Sequence, residues 1–226
     1  MSWFGRLVSG LVFNDCSVHI CDMAQQISRR MPRGRPREFD VDAAVERAMG
    51  VFWSSGYHGT SLPDLLKATE LSRGSLYAAF GDKHGLFLSA LDRYIGDALT
   101  RLDSELDPRK SALAGVRRCL AGYVDRTSGV AGKRGCLVVA TAMELAAHDP
   151  EVEQRIRRFF TALEKRLAEA MARAQASGEL ADGVEPKTAA RLLVCLVEGM
   201  RVVGKTGSDR ATSQAVVQTL IDRFAK

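Results

Sequence analysis

The sequence predicts an all-α fold, and three observations support this. Apolar residues recur at intervals of three and four through most of residues 40–226, which is the period of an amphipathic helix. Capping residues, glycines and prolines divide this stretch into segments of helix length. We find no convincing strand pattern and no internal repeat. The length of 226 residues allows two modest domains, so we expect a small N-terminal helical domain and a larger C-terminal one.

The composition is that of a globular protein, with 46% hydrophobic and 26% charged residues. No run approaches the ~18 apolar residues of a membrane span. The net charge of +5 has a single source, because without five arginines near the N-terminus the remaining 27 basic residues equal the 27 acidic ones. These arginines are Arg29, Arg30, Arg33, Arg35 and Arg37.

Residues 1–39 are expected to be a flexible extension that ends in this basic arm. The apolar run near the start is broken by Ser9-Gly10, and no clear cleavage site follows, so a secretory signal is not favoured. We hypothesise that the functional start is Met31. From there to Arg37, arginine alternates with proline or glycine, which excludes a stable helix.

The first helix is predicted from Asp40-Val41-Asp42 to Gly56. Its apolar face consists of Ala44, Val45, Ala48, Val51 and Phe52. Trp53 and Tyr57 are expected in the core, because aromatic side chains bury large apolar areas.

The segment from Thr60 to Phe80 predicts two short helices joined by a tight turn. Thr60 or Ser61 caps the first helix and Ser72 caps the second, through hydroxyl oxygens that accept backbone N–H bonds. Leucines and one phenylalanine mark the buried faces: Leu62, Leu65, Leu66, Leu76 and Phe80. This arrangement describes a helix-turn-helix, although an ordinary helical hairpin gives a similar pattern.

A helix-turn-helix places its second helix in the DNA major groove. Gly74 and Ser75 are small enough for close approach, Arg73 can pair bidentately with guanine, and Tyr77 can reach a phosphate or a thymine methyl. The next helix begins with Asp82 as cap and Lys83 in its first turn. A cation is unfavourable at that end of a helix, unless lysine and helix terminus grip a phosphate together.

The run from Thr60 to Leu86 resembles the DNA-binding signature of the tetracycline-repressor (TetR) family. The positions in register are Ser72, Gly74, Leu76, Tyr77, Phe80, Lys83 and Leu86. Two positions depart from the family pattern, namely Glu70 where a glycine is usual and Leu66 where a small residue is frequent. The resemblance implies a dimeric transcriptional regulator with an effector pocket in its C-terminal helices.

From the residues and the resemblance together we predict the contacts to double-stranded DNA. They are Arg33, Arg35, Arg37, Thr60, Ser61, Ser72, Arg73, Gly74, Ser75, Tyr77, Ala78 and Lys83. The arm arginines are included because a basic arm directly before a helix-turn-helix favours contact with phosphates or the minor groove over a solvated tail.

The helix that begins at Lys83 is predicted to continue to about Leu106, and we place the domain boundary inside it. Residues 40–94 are then the DNA-binding domain and residues 95–226 the effector-binding and dimerisation domain. Further predicted helices are Ser111 to Thr127, Cys136 to Ala147, Pro150 to Ser177, Pro186 to Val203 and Ser208 to Phe224, with a glycine-rich loop over 128–135.

The last two helices are candidates for a twofold four-helix interface between two copies. Their apolar residues at helical spacing are Leu193, Leu196, Met200, Val203, Val217, Leu220 and Phe224. The alternative is that they pack on the core of their own chain. The effector pocket implied by the resemblance is assigned, by apolar character and helix position, to Tyr123, Cys136, Val139, Met143, Phe159, Phe160 and Leu163.

Five cysteines without metal-ligand spacing imply neither a disulfide framework nor a metal site. Cys136 follows Lys133-Arg134 at a predicted helix start and Cys119 follows Arg117-Arg118, so both are candidate reactive thiols, although buried cysteine is usually a small hydrophobe. Glu144 and His148 lie four apart, but two ligands are too few for zinc.

We therefore expect a cytoplasmic homodimeric regulator, a repressor released from a palindromic operator by a small-molecule effector. It would need no cofactor or metal, and the absence of catalytic motifs argues against an enzyme. One alternative is a repressor that senses oxidants or electrophiles through Cys136 or Cys119. The other, from a different class, is a helical enzyme or interaction module that does not bind DNA.

Overall fold

A computed structural model describes residues 40–226 of the chain. The predicted extension and arm, with Arg33, Arg35 and Arg37, lie outside these residues. The described part contains ten helices: α1 Val41–Ser55, α2 Leu62–Thr69, α3 Arg73–Phe80, α4 Lys83–Glu105, α5 Ala112–Thr127, α6 Gly129–Arg134, α7 Leu137–Leu145, α8 Pro150–Ala176, α9 Pro186–Gly204 and α10 Arg210–Phe224. Its one β-type pairing is an isolated bridge between Leu180 and Ala225, so the all-α prediction is confirmed.

The first four helices begin at capping residues that the sequence predicts, because each cap satisfies backbone N–H groups that lack an intrahelical partner. These caps are Asp40, Ser61, Ser72 and Asp82, and Ser111 and Asp149 cap α5 and α8 in the same way. Ser61 and Asp64 form a reciprocal capping box at α2. None of the ten helices is long and apolar enough to cross a membrane.

The first four helices pack around a small aromatic and aliphatic core. Phe52 of α1 and Phe87 of α4 meet edge to face with ring centroids 5.0 Å apart. Leu65, Leu76 and Leu86 bring α2, α3 and α4 onto the same core, and all three are fully buried. The fixed position of Leu76 sets which side of α3 faces outward.

The glycine-rich segment contains a short helix, so the predicted loop over residues 128–135 is wrong. The glycines of this segment allow the helix to pack closely against neighbouring backbone. A Cβ on Gly132 would lie 2.3 Å from the carbonyl oxygen of Thr127 and 3.0 Å from that of Gly204. Glycine lets α6 pack directly onto the end of α9.

The long helix α8 forms the centre of the C-terminal part and packs against α4, α5, α7 and α9. This packing corrects part of the predicted dimer interface. The side chains of Leu193, Met200, Val217 and Phe224 are buried within their own chain, because one apolar face of α9 is covered by α8 and α10 packs on α5. Leu196, Leu220 and Val203 stay half-buried or exposed.

Candidate nucleic-acid interface

The helix α3 presents a polar and small-residue face to solvent. Its outward residues are Ser72, Arg73, Gly74, Tyr77 and Ala78, which are all exposed, whereas Ser75 is half-buried. Tyr77 is 44% exposed although it follows the fully buried Leu76. A large aromatic ring that stays in solvent has no role in the core, so this face is suited to a contact surface.

The N-terminus of α3 is ordered by two serines. The Ser72 hydroxyl accepts a bond from the Ser75 backbone N–H at 3.0 Å, and the two hydroxyl oxygens lie 2.9 Å apart. A Cβ at Gly74 would touch only the Ser72 hydroxyl, at 3.9 Å. The surface beside Gly74 is therefore open, and a DNA backbone or base edge can approach closely.

Lys83 at the start of α4 is held over an aromatic ring. Its Nζ lies 4.3 Å from the centroid of the Tyr57 ring, a cation–π distance. Burial, with the charges of Asp82 and Asp149, raises the pKa of Tyr57. The neutral ring thus positions the Lys83 ammonium at the N-terminus of α4. A phosphate at this point could bind both the ammonium and the positive end of the helix dipole.

Thr60 is a correction to the predicted contact set. The side chain is 1% exposed, and its hydroxyl donates to the Gly56 carbonyl oxygen at 2.6 Å. The hydroxyl thus closes the turn after α1 and cannot reach DNA directly. Ser61 is exposed, although its hydroxyl donates to Asp64 within the capping box.

Glu70 fills the turn position where the family pattern favours glycine. Its φ of 59° is left-handed, which costs an ordinary residue about 1–2 kcal/mol. The carboxylate accepts a hydrogen bond from Arg47 at 2.9 Å. This ion pair offsets part of the repulsion between Glu70 and an approaching phosphate.

Glu144 of α7 makes a contact that sequence reasoning missed. Its two carboxylate oxygens accept hydrogen bonds from the backbone N–H groups of Tyr57 and His58, at 3.0 and 2.7 Å. In the sequence, Glu144 stands out only by its spacing of four from His148. No local signal could have found this contact, because 87 residues separate Glu144 from Tyr57.

Two further contacts join α1 and α4 to the later helices. The Trp53 indole N–H donates to the Gly135 carbonyl oxygen at 3.2 Å, and the Arg134 guanidinium lies 3.8 Å from the indole centroid. At the start of α8, Asp149 lies 2.7 Å from His84 Nε2. Burial acts to raise the pKa of Asp149, but hydrogen bonds from Val152 and His84 outweigh it, so this pKa lies below its ordinary value.

The predicted effector-pocket residues do not form one cavity wall. Met143 is 86% exposed, so its assignment to an internal pocket is wrong; it lies on the face of α7 away from the core. Phe159 borders a surface cleft of about 520 Å³ between α4 and α8. Phe160 and Val139 are half-buried, and Leu163 is buried.

Tyr123 and Cys136 instead belong to a group that we call the buried polar cluster, defined as Tyr94, Tyr123, Cys136, Glu198 and Arg201. Arg201 donates to the Tyr94 hydroxyl at 3.2 Å, and that hydroxyl donates to Cys136 Sγ at 3.5 Å. The Arg201 guanidinium lies 4.9 Å from the Tyr123 ring centroid. Burial raises the pKa of Tyr123 to about 12.

The thiol-sensing alternative gains no support from this geometry. Cys119 and Cys136 are 1% and 3% exposed, so an oxidant in solvent has no direct access to them. Burial, with the charge of Glu105, raises the pKa of Cys119 well above its ordinary value, which disfavours the reactive thiolate. Cys195 is exposed, whereas Cys16 and Cys21 lie outside the described residues.

Two family models match the chain. One, described as bacterial regulatory proteins of the tetR family, matches residues 44–90. The other, described as a tetracyclin repressor-like C-terminal domain, matches residues 112–220. Both helix-turn-helix helices and most of the C-terminal helices thus fall within matched segments.

Similar proteins are described as transcriptional repressors or as TetR-family regulators. The HTH-type transcriptional repressor ComR of Escherichia coli (strain K12) is 30% identical over 177 residues, which cover 78% of this chain and 84% of ComR. The repressor BdcR of the same organism is 30% identical over 156 residues, 67% of this chain and 75% of BdcR. A cysteine-substituted TetR-family regulator CifR, solved with 26-base-pair operator DNA, is 36% identical with a TM-score of 0.74, covering 84% of this chain and all of that one.

Proposed function

Because this chain belongs to the tetR family of bacterial regulatory proteins, and is thus a DNA-binding transcriptional regulator, we propose that it is a homodimeric repressor whose α3 helices read a palindromic operator. The observation that carries the proposal is the outward face of α3. Its exposed Arg73 and Tyr77 stand on either side of an open Gly74, while Leu76 fixes the helix to the core.

The contacts are assigned by chemistry. Arg73 pairs with a guanine edge in the major groove. Ser72, Tyr77 and Lys83 bind phosphates and fix the register of the helix on the duplex. The arm arginines Arg33, Arg35 and Arg37 add salt-dependent attraction, since each phosphate contact contributes about −0.9 to the slope of log affinity against log salt.

Dimerisation is supported by a second apolar face on α9. Leu192, Val202 and Val203 are 47%, 54% and 57% exposed, and Val216 of α10 is 45% exposed. Beside them a groove of about 300 Å³ between α9 and α10 is lined by Leu196 and Gly199 among others. A second copy of the chain covers these side chains and sets its α3 about 34–36 Å from the first, one turn of DNA away.

Release by an effector acts through the connection between the two predicted domains, residues 40–94 and 95–226. The helix α4 belongs to both, and the Glu144 carboxylate ties α7 to the end of α1. An effector that binds differently to two arrangements of these helices changes the α3 spacing, and a coupling of about 1–3 kcal/mol is typical.

The test is a mobility-shift assay of the full chain on its own upstream intergenic DNA, with a scrambled duplex of equal length as control. We expect retardation of the upstream fragment that survives an excess of scrambled competitor. Equal retardation of both fragments, or of neither, would contradict the proposal.

Sedimentation of two matched variants tests the dimer. Val203→Asp places a charge on the proposed interface, whereas Met143→Asp places one on α7, at a side chain that is 86% exposed. We expect Val203→Asp to sediment as a monomer with weak operator binding, and Met143→Asp to behave like the wild type. A dimeric Val203→Asp, or a monomeric wild type, would rule out this interface.

A further inference from the structure

The buried polar cluster has more hydrogen-bonding capacity than it uses. Arg201 is 7% exposed, and the carboxylate of Glu198 is its only charged partner in the cluster. The two approach no closer than 3.7 Å, from Arg201 Nε to Glu198 Oε2. Within residues 40–226, neither that nitrogen nor either Glu198 oxygen has a hydrogen-bond partner.

Such an arrangement is unusual for a purely structural ion pair. Buried polar groups are almost always hydrogen-bonded, and a loosely paired buried charge adds little to stability. The Tyr94 hydroxyl, which accepts from Arg201, and the Tyr123 ring lie beside the guanidinium. Both oxygens of the Glu198 carboxylate therefore stay without a hydrogen bond in the described part of the chain, although a buried cation is close to them.

We propose that the buried polar cluster is the effector site and that it takes a small monocarboxylate, whose two oxygens replace Glu198 as the partner of Arg201. The inference rests on the proposed function, because it assigns the effector of the same repressor.

A carboxylate matches Arg201 in charge and geometry, because a planar guanidinium binds a carboxylate through two parallel N–H bonds. Burial raises the pKa of Glu198, although Arg201 acts to lower it. A raised pKa makes the neutral form of Glu198 easier to reach when a second carboxylate binds beside it. A dianion such as phosphate would add an uncompensated charge, which is costly in a buried site.

The cluster also connects to the DNA-binding helices. The Tyr94 ring meets the Trp53 ring of α1 edge to face with centroids 4.8 Å apart. Trp53 donates to the carbonyl of Gly135, the residue before Cys136. A ligand that draws Arg201 away from Tyr94 therefore alters the packing of α1 and the turn that leads to α2.

The experiment is calorimetric titration of the full chain, without DNA, with butyrate and benzoate and with the neutral isosteres butyramide and benzamide. We expect at least one carboxylate to bind about tenfold or more tightly than its own amide, because charge-assisted bonds to Arg201 are lost with the amide. Equal binding of each pair, or no binding by either carboxylate, would overturn the proposal.

Two matched variants locate the binding. Glu198→Gln removes the competing charge and should tighten carboxylate binding several-fold, whereas Glu169→Gln, at an exposed glutamate of α8, should leave it unchanged. The same affinity in both variants would place the ligand elsewhere. If Glu198→Gln does not fold, the wild-type comparison of acid and amide decides alone.

The two proposals fail separately. A chain that prefers benzoate to benzamide but does not retard its upstream DNA keeps the carboxylate site and loses the repressor function. A chain that binds the DNA but does not distinguish acid from amide keeps the repressor function and loses this site.

Discussion

The helix-turn-helix and the C-terminal helices use polar side chains in opposite ways. In the first, Ser72, Arg73 and Tyr77 point outward from a small apolar core, and the Ser72 hydroxyl bonds to Ser75, three residues on. In the second, Arg201 lies inside the fold beside Glu198 and donates to Tyr94, which is 107 residues away in the sequence. The outward site consists of residues that are close together in the sequence, so it can be predicted from the sequence. The inward site depends on contacts between residues that are far apart in the sequence.

The largest expected effect is a loss of unfolding free energy when the inward charge pair Arg201 and Glu198 is broken. Arg201→Met leaves Glu198 buried without a cation, which we expect to cost about 3–5 kcal/mol of unfolding free energy. The double variant Arg201→Met/Glu198→Leu should recover most of it, because replacing a whole buried pair by apolar residues is often neutral. Chemical denaturation measures both.

Arg191→Met is the matched control, since Arg191 is an exposed arginine on the same helix that pairs with Glu164. Exposed pairs contribute about 0–1 kcal/mol. If Arg201→Met lost as little unfolding free energy as Arg191→Met, the inward charges would contribute no more to stability than the outward ones.

The next effect concerns the outward face alone. Arg73→Ala should weaken operator binding by about 1–3 kcal/mol and relax discrimination at one base pair, with the unfolding free energy unchanged. Tyr77→Ala and Lys83→Ala should weaken binding to all sequences alike, because phosphates carry no sequence information. Mobility shifts on the operator and its single-base variants would separate the two classes. Unaltered binding by all three variants would exclude α3 as the reader.

A smaller effect tests the link between the two regions. Glu144→Ala removes charge-assisted bonds to the backbone of Tyr57 and His58, and we expect a loss of about 1–2 kcal/mol in unfolding free energy. It should also reduce the response of operator binding to any effector. Glu169→Ala, an exposed glutamate with one long ion pair to Lys165 at 3.9 Å, serves as control. Similar values for the two variants would show that the Glu144 contact is dispensable.

The smallest effect is a gain. Glu70→Gly relieves the left-handed backbone but loses the pair with Arg47, so we expect a net stabilisation of about 0.5 kcal/mol. Glu70→Gln keeps the backbone cost and removes only the charge. Both should bind operator more tightly, yet glycine alone should raise the melting temperature. Equal melting temperatures for the two variants would show that the turn stores no strain.

The caps at Asp40, Ser61, Ser72 and Asp82 were predictable because capping depends on residues two or three positions apart. The outward face of α3 was predictable for the same reason, since a helix of eight residues allows only one buried side once Leu76 is placed.

The remaining features depend on long-range packing. Thr60 could cap a helix or fill a core, and only the turn after α1 decides that it is buried. In α9, the sequence groups Leu193 and Val203 in one apolar set, whereas packing within the chain buries Leu193 and leaves Val203 57% exposed. The Glu144 contact depends on the arrangement of three helices and has no local pattern.

Trp53 gives this molecule a built-in optical probe. Among residues 40–226 it is the sole tryptophan, and its indole lies between the Arg134 guanidinium and the Tyr94 ring. Fluorescence from an indole responds to nearby cations and to changes in its hydrogen bonding. Emission from Trp53 therefore reports on the junction between the cluster and α1 without any label. It should shift when Tyr94 moves and stay constant when only the exposed side of α3 is engaged.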